Sequence, residues 1–238
     1  MTGLRHLTSL ADLSPNDAVA LRLALRHVLW LGGAPDAGKT SVARALAGRY
    51  GVQCYHLDAT ERDHLARATP ERQPHLVALR VMTADDLWVR RPPRAMAALT
   101  LATSAEKLPM VIADVLALPA TPPVLVEGPW LFPEAIAPLL TSPRQALWLA
   151  PTRAFKRASA ARRDKPTSRH QTSDPARATR HWYARDLLVD GHIRRGVAER
   201  RLALLEVDGS RPVEAVAALV AAHFAPLLPW ALPDQVRG

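Results

Sequence analysis

The sequence predicts an α/β domain built on a parallel sheet. Short apolar runs alternate with helix-forming stretches along its 238 residues, which is the pattern of repeated βαβ units. A glycine-rich turn joins the first of these runs to a helix. Two other runs end in an acidic residue, Asp58 and Glu127, and in open parallel sheets ligands gather beyond the carboxyl ends of the strands.

Residues 1–26 read as a helical lead-in, with Ser14 or Asn16 capping a helix through Ala18–Leu25. A first strand covers about 27–31, and a helix over 39–49 follows, punctuated by Gly48 and Gly51. The second strand is 53–57, ending in Asp58. Residues 60–120 hold helical patches and proline-broken joints but no clear strand. Val124–Val126, closed by Glu127-Gly128, is the third strand and Ala146–Leu149 the fourth. A helix over 152–163, a polar mobile loop over 164–177 and a helix over 178–199 come next. A fifth strand at Leu202–Val207 leads through Asp208–Pro212 into an amphipathic helix, 213–224, and a proline-rich, loosely packed tail.

Composition bounds the function. The chain is 48% hydrophobic and 22% charged, which suits one globular domain. No apolar run nears the roughly 20 residues of a membrane span, and no signal-peptide core opens the chain, so a cytoplasmic protein with no membrane partner is expected. A single cysteine, Cys54, excludes an internal disulfide and reads as a small core residue. Nine histidines show no paired metal-ligand spacing. A net charge of +9 fits an anionic partner, or an arginine bias spread over the surface.

The segment Gly33-Ala34-Pro35-Asp36-Ala37-Gly38-Lys39-Thr40 reads G-x-x-x-x-G-K-T between a strand and a helix. That pattern is what a phosphate-binding loop requires; the alternative is a glycine-rich turn capped by a helix, with Lys39 solvated. The loop's backbone N–H groups and the following helix dipole face an anion, with Ser41 just inside the helix. Lys39 would reach the β- and γ-phosphates, and Thr40 would ligate Mg²⁺. Only four of the 31 basic residues are lysines. Keeping a compact ammonium at Lys39 is therefore informative.

Around the loop, Glu127 is expected to hold Mg²⁺ with Thr40, or to cap the turn after it. Asp58 is expected to position or deprotonate an acceptor hydroxyl, or to cap the helix that follows. Arg153, Arg157, Arg162 and Arg163 lie on the helix after the fourth strand, with Arg169, Arg177 and Arg180 beyond. They suit a lid that closes over transferring phosphate, or a solvated basic helix. Trp88, Arg90, Arg91 and Arg94, preceded by Asp85 and Asp86, could grip an acceptor or form a surface turn around a core tryptophan.

These residues resemble P-loop small-molecule kinases of the nucleoside-monophosphate kinase type, adenylate kinases included. Gly33–Thr40 matches their phosphate loop. Pro151–Arg157 with Arg162-Arg163 looks like the helix entering their arginine-bearing lid. Val207–Val213 resembles the stretch backing the adenine ring. The resemblance covers about half the chain. It implies a P-loop NTPase-type sheet of five parallel strands, with a core of about 27–58, 121–152 and 200–225, a substrate-binding insert of about 59–120 and a lid of about 153–180. Asp208, Gly209, Ser210, Arg211 and Pro212 would border the base of ATP; Arg153, Arg157 and Arg162, with Arg177 or Arg180, would serve its phosphates. Val124–Gly128 looks more like uridine kinase and phosphoribulokinase relatives, and the adenylate kinase acceptor pattern is missing between residues 58 and 125. The expected activity is transfer of the γ-phosphoryl group from ATP, with Mg²⁺, to a small molecule. A regulatory nucleotide-binding module and a kinase of nucleic-acid ends are the alternatives, the latter suggested by the charge.

Overall fold

The computed structural model describes residues 13–162 and 167–231, without the side chains of 160–162. It is α/β, with five parallel strands flanked by helices. The strands are β1 (Val28–Gly33), β2 (Gln53–His56), β3 (Val124–Glu127), β4 (Ala146–Pro151) and β5 (Ala203–Val207), in the order β2-β3-β1-β4-β5. Every residue of β1, β3 and β4 is buried, because helices cover both faces of the sheet.

Alternation along the strands divides the core in two. Trp30, Val124, Val126, Ala146 and Trp148 face a cluster completed by Leu21 of α1 (Pro15–Ala24), Ile112 and Val115 of α5 (Pro93–Ala117) and Ile193 of α8 (Pro175–Glu199). Leu29, Leu31, Leu125, Leu147 and Leu149 face the other. That side is closed by Val42 and Leu46 of α2 (Lys39–Tyr50) and by Val216, Val220 and Phe224 of α9 (Val213–Phe224). Leu227 and Leu228 pack against this second cluster, so the start of the tail is anchored rather than loose.

Ser14 caps α1, its hydroxyl accepting from the Asp17 N–H at 3.2 Å. Gly51 ends α2, its N–H donating to the Ala47 carbonyl at 2.8 Å, while Gly48 lies inside the helix. β2 stops at His56, one residue before its expected end. Leu57 opens α3 (Leu57–Arg67), and Asp58 stands in that helix's first turn, where the dipole favours a carboxylate. The segment between β2 and β3 holds helices and no strand, with α4 (Pro74–Val81), a π-turn at Asp86–Arg90 and the 25-residue α5 after α3. Pro93 does not break α5 but starts it, since a first-turn proline loses no helical hydrogen bond.

Helix α5 bears on the membrane expectation. It is long and apolar enough to span a bilayer, yet half of its apolar window is buried within the protein. Glu106 accepts from the His75 and Leu76 amides, and Lys107 pairs with Glu61 at 2.8 Å. It is a core helix.

After a short α6 (Pro133–Ile136), β4 passes into α7 (Arg153–Arg162). Part of the expected mobile loop is structured. A 3₁₀ turn spans Ser168–Gln171, and α8 begins at Pro175, with the Asp174 side chain accepting from the Arg177 N–H at 2.9 Å.

Candidate functional site

β1 runs straight into the glycine loop at the carboxyl rim of the sheet. Its last residue, Gly33, pairs with Leu149 of β4 at φ 126°. A Cβ there would lie 2.0 Å from the Leu149 carbonyl oxygen, so only glycine lets the two strands approach. Asp36 adopts the left-handed region at φ 69°, and Gly38, the N-cap of α2, does so at φ 81° with open space where a Cβ would stand. The chain therefore doubles back into α2, leaving that helix's N-terminal end facing a cavity of about 150 Å³. Pro35, Asp36, Gly38, Lys39, Thr40, Ser41, Asp58, Glu127 and Pro129 line it.

Lys39 is 6% exposed, and its ammonium donates to the Ala34 carbonyl at 2.8 Å. Burial lowers its pKa to about 8, against the attraction of Glu127, Asp58 and Asp36 and with added repulsion from Lys156. Thr40 Oγ1 donates to Glu127 Oε1 at 2.9 Å. The same oxygen meets His56 Nδ1 at 2.7 Å, as the sheet register places His56 opposite Glu127. Asp58 stands on the open wall of the cavity. Desolvation by the surrounding protein raises its pKa, partly offset by Lys39.

The structure thus gathers Lys39, Thr40, Ser41, Glu127 and Asp58 about one cavity. It does not bring the expected arginines there. Arg153 and Arg157 are exposed on α7 and line no part of the cavity, and Arg177 and Arg180 are exposed on α8. Side chain 162 and residue 163 lie outside the described atoms. The basic side chain that α7 turns inward is Lys156, 1% exposed, bonded to Asp36 Oδ2 at 3.1 Å and Asp186 Oδ2 at 2.7 Å.

The Trp88 patch lines no part of the cavity. Arg185 lies 5.4 Å from the Trp88 ring centre and 5.3 Å from that of Trp130, while Arg169 lies 4.0 Å from Trp182 and 6.0 Å from Trp88. Trp88 Nε1 donates to Ser168 Oγ at 3.0 Å, and Asp85 accepts from the Ser173 N–H at 2.8 Å. Arg90 is spent on Asp86 at 2.6 Å, Arg91 reaches the Met82 sulfur at 3.6 Å, and Arg94 is exposed in the first turn of α5. These residues join the segment before α5 to the 3₁₀ turn and α8.

Asp208 accepts from Ser210 N and Oγ at 2.9 and 2.6 Å, which holds its pKa below the ordinary carboxylate range. Gly209 lies against the Phe155 ring. With Arg211 these residues edge a shallow depression floored by Leu205, Val207, Val216 and Leu219. Pro212 is the N-cap of α9.

Cys54 is half-buried rather than deep in the core, and desolvation raises its pKa. A cluster without a sequence spacing signal is Asp63, His64 and Asp114, whose ligand atoms lie within 4.8 Å. Arg67 meets Asp63 at 2.7 Å and Asp114 at 3.1 Å, so this group is an internally compensated charge network.

Three residues escaped the sequence reading: His56, Lys156 and Asp186. The rarity of lysine, which singled out Lys39, applied equally to Lys156. Neither a scan against protein-family models nor a search of the curated proteins finds a match to this chain.

Proposed function

We propose that this chain is a P-loop NTPase-type kinase that transfers the γ-phosphoryl group of ATP to a small-molecule acceptor with the help of Mg²⁺. The observation that carries the reading is the convergence of the Gly33–Thr40 loop, Lys39, Glu127 and Asp58 on one cavity at the carboxyl rim of a parallel sheet.

Each residue has chemistry suited to a role. The loop N–H groups and the α2 terminus present positive potential to phosphate. Lys39 is held at a desolvation cost near three carboxylates, and a polyphosphate would compensate that ammonium better than the Ala34 carbonyl does. Thr40 hydroxyl and Glu127 carboxylate are hard oxygen donors, already 2.9 Å apart, and suit Mg²⁺, which would neutralise charge on the phosphates. Asp58, open to the cavity and raised in pKa, is placed to take up a proton from an acceptor hydroxyl. Phosphoryl transfer asks chiefly for such positioning and charge compensation. The edge of β5, with Asp208, Gly209, Ser210, Arg211 and Pro212, is where the base would rest, beside the apolar floor near Phe155.

The test is equilibrium binding of ATP with Mg²⁺, then transfer from labelled ATP to a panel of nucleosides, nucleotides, sugar acids, aminoglycosides and oligonucleotides. Lys39→Met should remain folded and lose at least tenfold in ATP affinity together with all transfer. Undiminished ATP binding by that variant would overturn the reading, as would a wild-type chain that binds no ATP.

A further inference from the structure

A carboxylate in an anion-binding loop is an electrostatic liability, yet Asp36 occupies the centre of this one. Its side chain is fully buried and its backbone holds a left-handed conformation at φ 69°, which residues other than glycine adopt rarely. Something must hold it there and cancel its charge. Lys156 contributes to both, lying 3.1 Å from Asp36 Oδ2 at the inner face of α7.

The contact continues inward. Lys156 also meets Asp186 Oδ2 at 2.7 Å, and Arg185 Nε meets Asp186 Oδ1 at 2.8 Å. The Trp182 ring centre lies 5.0 Å from the ammonium, closing the site with an aromatic face. Arg185 in turn donates to Thr100 Oγ1 of α5 at 3.3 Å. A continuous line of charged groups therefore runs from the glycine loop through α7 to α8 and α5. Both carboxylates and the ammonium are at most 1% exposed in their side chains, so removing one partner strands a buried charge.

We propose that Lys156 is a positioning residue for the phosphate site, acting through Asp36: it helps to hold residue 36 in its left-handed turn and to offset the carboxylate's field, so that the loop amides face the cavity as a net positive surface. This rests on the kinase reading for the identity of the anion, but the positioning role is open to test without any ligand. Asp186 shares the ammonium and fixes it against α8.

Two measurements decide it. In the ligand-free protein, amide hydrogen exchange at residues 34–38 should quicken at least tenfold in Asp36→Asn. That variant removes one buried negative charge and leaves Lys156 paired with Asp186. In ATP binding, Lys156→Met should lose at least tenfold in affinity, because the buried cation 3.1 Å from Asp36 Oδ2 is removed. The double variant Lys156→Met with Asp36→Asn should regain most of that loss. A merely structural bridge would lower the melting temperature of the single variant and leave the affinities of the folded proteins alike. Unchanged exchange in folded Asp36→Asn overturns the proposal, as does a double variant that binds ATP no better than Lys156→Met. If Lys156→Met does not fold, the exchange result on Asp36→Asn stands alone. If wild type binds no ATP, the kinase reading fails and the exchange experiment still judges the role of Lys156.

Discussion

Gly33 and Gly38 bracket the loop, both at positive φ, and an alanine at each should separate two effects. At Gly33 the added Cβ would meet the Leu149 carbonyl oxygen at 2.0 Å and the Leu149 nitrogen at 2.7 Å. Neither backbone can retreat, because Gly33 and Leu149 are register partners between β1 and β4. Strain at φ 126° costs about 1–3 kcal/mol, and overpacking against backbone adds about 1–3 kcal/mol. The sum is about 2–6 kcal/mol. For a chain of this size each kcal/mol moves the melting temperature by about 2–4 °C, so Gly33→Ala should lose roughly 4–24 °C. At Gly38 nothing lies within 4 Å of the new Cβ. Only the left-handed turn costs, about 1–2 kcal/mol, offset by up to about 1 kcal/mol from a less flexible unfolded chain. Gly38→Ala should therefore melt within roughly 8 °C of wild type. Its methyl group would point into the cavity, so ATP affinity should fall further than stability does. Thermal unfolding without nucleotide, paired with ATP titration, makes the comparison. If the two variants melt at the same temperature, or if Gly38→Ala is the less stable, the reasoning about the β1–β4 contact is wrong.

Two further outcomes follow from the electrostatics of the cavity. The folded chain holds Lys39 at about 8, below its ordinary 10.5, so between those values the unfolded chain binds more protons and stability rises with pH. Wild type should gain stability relative to Lys39→Met across that window while its ATP affinity declines; a constant difference between the two proteins from pH 7.5 to 10.5 would contradict this. Glu127→Gln should keep the Thr40 hydrogen bond through the amide oxygen and cost about 1 kcal/mol in stability. The Mg²⁺ concentration needed for half-maximal transfer should nevertheless rise at least tenfold, and an unchanged requirement would remove Glu127 from the metal site.

The parts of the fold that were legible in the sequence are those where burial leaves a simple pattern. β1, β3 and β4 are covered on both faces, so each appears as an unbroken apolar run. α9 falls at Val213–Phe224 as expected, because Asp208-Gly209-Ser210-Arg211-Pro212 is turn chemistry on one side and the apolar stripe is regular on the other. The region between β2 and β3 was harder because prolines carry two meanings. Pro92-Pro93 reads as an interruption, yet Pro93 is the first residue of a 25-residue helix that also carries Pro109 inside it. The role of Trp88 was hidden for a different reason. Its ring is held near Arg185, 97 positions downstream, and periodicity carries no information about such a pairing.

The lysines sharpen what the composition was reporting. Arginine supplies nearly all the positive charge of this chain, and Lys39 stood out as an exception suited to phosphate. The structure shows that the exceptions share burial: Lys39, Lys107 and Lys156 are 6%, 9% and 1% exposed, and Lys165 lies outside the described residues. An ammonium on a flexible stem reaches a single carboxylate or carbonyl in a confined site, whereas a planar guanidinium needs several acceptors and more room. Lys107 meets Glu61 away from the cavity, and Lys156 meets two aspartates. Scarcity of lysine therefore marks places where a compact buried cation is required, and phosphate binding is one of several reasons for such a place. What distinguishes Lys39 is its surroundings. It alone among the three lines the cavity, and its ammonium donates to a backbone carbonyl rather than a carboxylate. A cation held so close to three acidic groups, yet donating to a neutral carbonyl, is the one whose charge an incoming anion can claim.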